Sequence, residues 1–197
     1  DVRLFSLNDT FSKETDLNDF IRRNGSVLIF PNKVLGKYTD FLVRSVENNK
    51  ILREKLTDLP YGIGYLREDF KYGDPLFIVE GIGDWVGVKL LDKTIDVVAM
   101  QTNEISKDMY ETYSSITNHV VIIPDNDERG LNSLKRMKYR FREHGVTVDS
   151  IYQYGDLKDT GEILERAMLC EKTNSTALKR ELNLISKYYK AKINQFR

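Results

Sequence analysis

Acidic side chains form three clusters along the chain, and their types and spacing suit the binding of a divalent cation. The clusters are Glu80 with Asp84 in FIVEGIGDW, Asp125 with Asp127 in VVIIPDNDERG, and Asp159 with Glu162 in GDLKDTGEIL. Hard cations such as Mg²⁺ take several oxygen ligands and keep waters that phosphates can replace. Because no histidine or cysteine accompanies these acids, the set favours phosphate chemistry over a zinc site. The sequence therefore predicts an enzyme that acts on nucleotides or nucleic acid.

The first two acidic clusters each follow a short run of large apolar residues. Residues 76–79 directly precede Glu80, and residues 120–123 lie one proline before Asp125. Carboxylates just beyond the C-terminal ends of buried strands lie where an open α/β sheet places its ligand site. We therefore expect both clusters at one edge of a sheet.

Strand and helix patterns alternate through the centre of the chain. Strands are predicted at 76–80, 95–100, 119–124 and 147–153, and helices at 83–91, 104–116, 128–144 and from 160 onward. Such alternation is typical of a mostly parallel sheet with right-handed crossovers. The tail from residue 163 carries apolar residues at helical spacing and predicts two helices separated at 172–175.

The first 75 residues differ from the rest in pattern. A helix is predicted at 16–23 and a hairpin at 27–31 and 39–46, whereas the polar segment 48–59 predicts a loop or short helix. The fold class is thus α/β, a mostly parallel sheet flanked by helices, with a small N-terminal α+β subdomain and a C-terminal helical tail. The expected boundaries are 1–75, 76–162 and 163–197.

Charge is unevenly distributed although the 197 residues sum to zero net charge. Residues 76–162 hold 15 acidic and 10 basic side chains, whereas residues 163–197 hold 3 acidic and 8 basic ones. An acidic centre beside a basic tail suits a metal site with an edge facing nucleic acid, and an excess of this size also arises by chance. The single cysteine excludes an internal disulfide and favours a reducing cytoplasm. No apolar run approaches the roughly 18 residues of a membrane span.

The acidic segments together resemble a Toprim domain, the catalytic fold of bacterial-type primases, topoisomerases and some nucleases. Glu80-Gly81-x-x-Asp84 is similar to the primase form, and Asp125-x-Asp127 with Gly130 is similar to its second motif. Lys158-Asp159-Thr160-Gly161-Glu162 resembles a Gly-Lys-Asp-Pro-Asp-Glu motif in which the glycine, the proline and the second aspartate are replaced. The resemblance implies that Glu80, Asp84, Asp125, Asp127 and Asp159 bind metal, with Asp156 or Glu162 as alternatives to Asp159. It leaves open whether Glu80 is a general base or a ligand.

The N-terminal segment resembles the small subdomain of DnaG-type primases. Residues 25–31 end in Phe-Pro, a turn contains Gly36-Lys37, and residues 41–44 end in an arginine, as in that family. The resemblance implies that Arg44 contacts single-stranded template and nucleotide, and it extends this role to Lys50 and Lys55.

A DnaG-type resemblance implies a magnesium- or manganese-dependent RNA-polymerase core that makes short primers on single-stranded DNA. Its catalytic residues would be Glu80, Asp125 and Asp127. Its partners would be the DNA template, NTPs and a replicative helicase, fused or separate, in the cytoplasm of a bacterium or phage-infected host. We expect no membrane association and a monomer.

Two other functions remain open from the sequence. A Toprim nuclease or nicking enzyme would use the same acids with water as nucleophile. A non-catalytic nucleic-acid-binding scaffold would keep the fold, and the glycine at 161 in place of an acid is compatible with it. A polymerase needs Arg44 and its neighbours, whereas a nuclease does not.

Overall fold

A computed structural model of the chain describes residues 14–34, 37–45, 47–48, 50–55, 60–101 and 105–196. The chain divides into two compact units, one of Asp1–Asn32 and Lys37–Thr57 and a larger one of Lys33–Gly36 and Asp58–Arg197. Within the described ranges, no helix is both long and apolar enough to cross a membrane.

The described part of the smaller unit contains one helix and a three-stranded sheet. The elements are α1 (Glu14–Asn24), β1 (Val27–Val34), β2 (Lys37–Ser45) and β3 (Ile51–Lys55), in the sheet order β1-β2-β3. The expected loop or short helix at 48–59 is wrong where β3 lies, because β3 pairs antiparallel with β2 from Arg44 opposite Ile51 to Asp40 opposite Lys55. The backbone hydrogen bonds with β2 outweigh the weak strand preference of this polar segment, since strand preference depends strongly on tertiary context.

The larger unit has the predicted parallel sheet flanked by helices. Its strands are β4 (Leu76–Val79), β5 (Val97–Ala99), β6 (His119–Ile122) and β7 (Thr147–Ser150), in the order β5-β4-β6-β7 with every pair parallel. Its helices are α2 (Ile82–Leu91), α3 (Lys107–Ile116), α4 (Glu128–Glu143), α5 (Gly161–Thr173) and α6 (Thr176–Ile193). A 3-10 turn, Ile63–Tyr65, precedes the sheet.

Both faces of the central strand β4 are buried. Leu76 and Ile78 join a core cluster with Tyr113 of α3 and Phe141 of α4, all at most 1% exposed. Phe77, on the opposite face, is 2% exposed. Strands covered on both faces read as continuous apolar runs, which is why residues 76–79 were recognisable in the sequence. The sheet therefore presents its polar groups at the strand ends.

Helix α2 packs closely against the segment that begins α5. A Cβ atom built on Gly87 would lie 1.9 Å from the carbonyl oxygen of Thr160, which is backbone and cannot move aside cheaply. The absence of a side chain at Gly87 thus permits the close approach of two segments more than 70 residues apart.

Gly87→Ala is expected to lower the free energy of unfolding by about 1–3 kcal/mol, because the added methyl must separate α2 from Thr160. Urea titration followed by circular dichroism measures the change. Leu90→Ala in the same helix, at a position 53% exposed, serves as control and should cost less than about 0.5 kcal/mol. Equal midpoints for the two variants would contradict the close packing.

Candidate metal centre

Three of the predicted acids lie where helices begin, at α2 after β4, at α4 after β6 and at α5 after β7. Asp84 occupies the first turn of α2, and Asp127 is the N-cap of α4, where its Oδ1 accepts a 2.7 Å hydrogen bond from the Gly130 amide. Asp159 lies at the start of α5 and accepts a 3.1 Å bond from the Glu162 amide. Helix N-termini carry partial positive charge and favour carboxylates there. The topology thus gathers negative side chains at three helix starts.

The two carboxylate oxygens of Asp84 cap the start of α2 and link it to the start of α5. Its Oδ2 accepts a 2.9 Å bond from the Gly81 amide, and its Oδ1 accepts a 3.0 Å bond from the Gly161 amide. The Thr160 hydroxyl lies 3.2 Å from the same Oδ1. Burial raises the pKa of Asp84, the charge of Asp159 raises it further, and these three hydrogen bonds oppose the rise. Asp84 therefore has a structural role in addition to its place in the acidic cluster.

Asp125 is the acid with the most unfavourable surroundings. Its Oδ1 is buried and has no hydrogen-bond partner among the described residues. Burial, followed by the charges of Asp84, Glu80 and Asp159, raises the pKa of Asp125 to about 7. A buried carboxylate without a partner is costly, and a bound cation would offset that cost.

Asp125 is also held closely by the helix that follows it. A Cβ atom on Gly130 would lie 2.5 Å from the Asp125 carbonyl oxygen, so the glycine permits this contact. The amide of Asn126 donates a 2.6 Å bond to the Lys158 carbonyl, which joins the loop after β6 to the loop before α5. These contacts place Asp125 beside Asp159.

Glu80 follows β4 directly and lies next to the other acids. Burial raises the pKa of Glu80, Arg129 opposes the rise, and Asp84 and Asp127 add to it. A carboxylate with a raised pKa is a better proton acceptor near neutral pH, so this environment is compatible with a base as well as with a ligand.

One carboxylate oxygen each from Asp84, Asp125 and Asp159 lies within 4.8 Å of the other two. These three acids could hold a metal ion, and their all-oxygen donor set suits Mg²⁺ or Mn²⁺. The buried Oδ1 of Asp125, which has no hydrogen-bond partner among the described residues, fits the role of a cation ligand. The other predicted ligands, Glu80 and Asp127, fall outside this close cluster, and their coordination stays a prediction.

Asp156 and Glu162, the alternatives to Asp159 as a metal ligand, both lie near the guanidinium group of Arg166. The Asp156 side chain is 90% exposed and lies 3.4 Å from Arg166, and Glu162 lies 3.5 Å from the same guanidinium group. Lys158, which precedes Asp159, is 58% exposed with its Nζ 3.9 Å from the Asp159 carboxylate. Of the acids considered for the third segment, Asp159 is the one in the cluster.

The predicted template-binding residues belong to the smaller unit. Arg44 lies in β2 opposite Ile51 of β3, and Lys50 is exposed just before β3. The backbone of Lys55 ends β3, whereas its side chain lies outside the described part of the structure. Their contacts with nucleic acid stay predictions.

Sequence reasoning missed the partners that support the acids. Thr160 and Gly161 stand where the resembling motif has proline and aspartate, and here they donate hydrogen bonds to Asp84. The only sequence signal was the departure from the motif itself, which gave no indication of the partner.

Residues 77–164 match the family of Toprim-like domains. The fold matches the E. coli primase catalytic core with a TM-score of 0.59 and 20% identity, over 71% of this chain and 48% of that chain. It matches a DnaG primase catalytic domain bound to single-stranded DNA with a TM-score of 0.59 and 17% identity, over 77% and 55%. For the primase fragment of the bacteriophage T7 primase-helicase the TM-score is 0.52 and the identity 15%, over 83% and 69%.

These comparisons establish the fold. The chain shares the architecture of DnaG-type primase catalytic cores, and the predicted Toprim fold is confirmed. The chain spans about half the length of the first two structures. No curated protein sequence matches it significantly.

Proposed function

We propose that this chain, whose residues 77–164 form a Toprim-like domain, is the RNA-polymerase core of a DnaG-type primase that makes short primers on single-stranded DNA. The observation that carries the proposal is the cluster of Asp84, Asp125 and Asp159, which lies beyond the strand ends in a fold shared with primase catalytic cores. Nucleotidyl transfer needs such an acidic site to hold divalent cations against the nucleotide phosphates.

Asp125 and Asp159 would hold Mg²⁺ or Mn²⁺, with Asp84 fixing their surroundings and completing the cluster. A bound cation would supply charge neutralisation for the phosphate oxygens and the leaving pyrophosphate. Glu80, whose pKa is raised by burial, would accept the proton of the attacking 3′-hydroxyl or add a ligand. Asp127 would extend the acidic edge from the N-cap of α4.

The cations beside the acids would neutralise phosphate. Arg129 is exposed in the first turn of α4 and acts electrostatically on Glu80, while Lys158 is exposed next to Asp159. In the smaller unit Arg44, Lys50 and Lys55 would contact template and NTP, as the family resemblance implies. The neighbours include a primase domain bound to single-stranded DNA and a primase-helicase fragment, which supports DNA and a helicase as partners of this chain.

Incorporation of labelled NTPs on single-stranded DNA with Mg²⁺ or Mn²⁺ tests the proposal directly. We expect short RNA products from the wild-type chain and their loss in Glu80→Gln. Asp108→Asn, at an exposed position in the first turn of α3, should leave synthesis unchanged. The same samples are assayed for nicking of supercoiled plasmid.

Nicking without RNA synthesis would replace the primase with a Toprim nuclease. An Arg44→Ala variant that loses template binding but still nicks plasmid would also favour the nuclease. Neither activity, even with a primase zinc-binding domain added in trans, would overturn the enzymatic proposal and leave a nucleic-acid-binding scaffold.

A further inference from the structure

A chain of partly buried hydrogen bonds joins the C-terminal helix to the loop that carries Asp125. Tyr189 of α6 is fully buried, and its hydroxyl donates a hydrogen bond to Oε1 of Gln153. The Gln153 Nε2 group in turn donates a 2.7 Å hydrogen bond to the carbonyl oxygen of Pro124. Pro124 directly precedes Asp125.

This chain of bonds acts where the sheet ladder stops. The last ladder-type contact of this segment is the 3.0 Å bond from the Ile123 amide to the Ile78 carbonyl. Pro124 is buried and has no amide hydrogen to continue the ladder. Beyond that point the Gln153 side chain holds the Pro124 carbonyl, which belongs to the peptide group that leads into Asp125. On the other side, the Asn126 amide is held by the Lys158 carbonyl.

We propose that Gln153 and Tyr189 are positioning residues for Asp125, so that α6 sets the metal affinity of the acidic cluster. The inference rests on the metal site proposed above. Gln153 fixes the peptide before Asp125, and Tyr189 fixes the rotamer and amide orientation of Gln153. Partners that orient a metal ligand commonly change metal affinity tenfold or more when they are removed.

The experiment compares two tyrosines that are neighbours in sequence. Tyr189→Phe removes the hydroxyl bonded to the Gln153 side chain. Tyr188→Phe removes a hydroxyl that donates a 3.0 Å bond to the Tyr152 carbonyl and, among the described residues, bonds neither the Gln153 side chain nor Pro124. Mn²⁺ and Mg²⁺ dissociation constants are measured by calorimetry on the full chain, well below the unfolding temperature. We expect the dissociation constant to rise about tenfold in Tyr189→Phe and less than about twofold in Tyr188→Phe.

Gln153→Leu gives a second, independent arm. Its dissociation constant should rise at least as much as that of Tyr189→Phe, and the double variant should bind metal no more weakly than Gln153→Leu alone, because both residues act in one chain of bonds. The unfolding temperature without metal is recorded beside each value, since a merely structural role would lower it in all variants without separating their metal affinities.

Equal metal affinity in the two tyrosine variants, or additive losses in the double variant, would overturn the positioning role while leaving the metal site in place. A wild-type chain that binds neither cation would overturn the site and the positioning role together. Metal binding with the expected pattern but without primer synthesis would support the positioning role and count against the primase proposal alone.

Discussion

Asp125→Asn should abolish primer synthesis and at the same time stabilise the metal-free protein. Activity is expected to fall at least about a hundredfold, because a ligand is lost where charge develops in the transition state. Stability should rise by about 1–3 kcal/mol, since the substitution removes a buried charge repelled by Asp84, Glu80 and Asp159. The two effects have one cause: the carboxylates lie close enough together to bind a cation, and without a cation their charges repel one another.

Labelled-NTP incorporation and urea unfolding in a chelating buffer measure the two effects. Asp108→Asn is the matched control: it should leave synthesis unchanged and should lower stability by at most about 1 kcal/mol, because it removes a favourable charge from the first turn of α3. A variant that is inactive but less stable than wild type would show that Asp125 stabilises the fold, contrary to its unpartnered Oδ1.

The metal-free chain should lose stability as the pH rises from about 4 to about 7. The pKa of Asp125 is raised to about 7 in the folded chain, and an unfolded aspartate titrates near 4. Over this interval the folded state binds more protons than the unfolded state, so the free energy of unfolding falls with rising pH. The contribution of Asp125 to stability is fully present below pH 4 and is lost as the pH passes 7. The raised pKa values of Glu80 and Asp84 act in the same direction.

The measurement is a series of urea titrations between pH 4 and 8, with chelator and with saturating Mg²⁺. Bound metal favours the ionised acids, so the fall with pH should be smaller when Mg²⁺ is present. The difference between wild type and Asp125→Asn isolates this carboxyl from the remaining acids. Parallel curves for the two proteins would show that Asp125 titrates at an ordinary pH.

Much of the larger unit could be predicted from the sequence because its buried strands and helix faces are marked by apolar residues at strand or helix spacing. The strand before Glu80 is covered on both faces and is apolar throughout, and α4 shows its apolar face at helical spacing. Acids soon after such strands lie at one edge of a parallel sheet, so the proximity of Asp84 and Asp125 follows from the topology.

The remaining features depend on partners far apart in the chain. Strand β3 is largely polar, and it forms because its backbone pairs with that of β2. Gln153 holds a carbonyl 29 residues away, and Thr160 contacts an acid 76 residues away. Periodicity and spacing describe neighbours along an element, and they carry no information about such pairs.

The bond between the Gly161 amide and Asp84 has a consequence for how the protein is made. It joins residues 77 positions apart, and it can close only when the start of α5 has been made and packs against α2. A nascent chain that has emerged only as far as α4 carries Asp84 and Asp125 but lacks Asp159 and the Gly161 amide. Contacts of such long range form late in folding, since loop closure must precede them. Competence to capture metal should therefore arise as one of the last events of folding, after the ribosome has released the segment around residue 161.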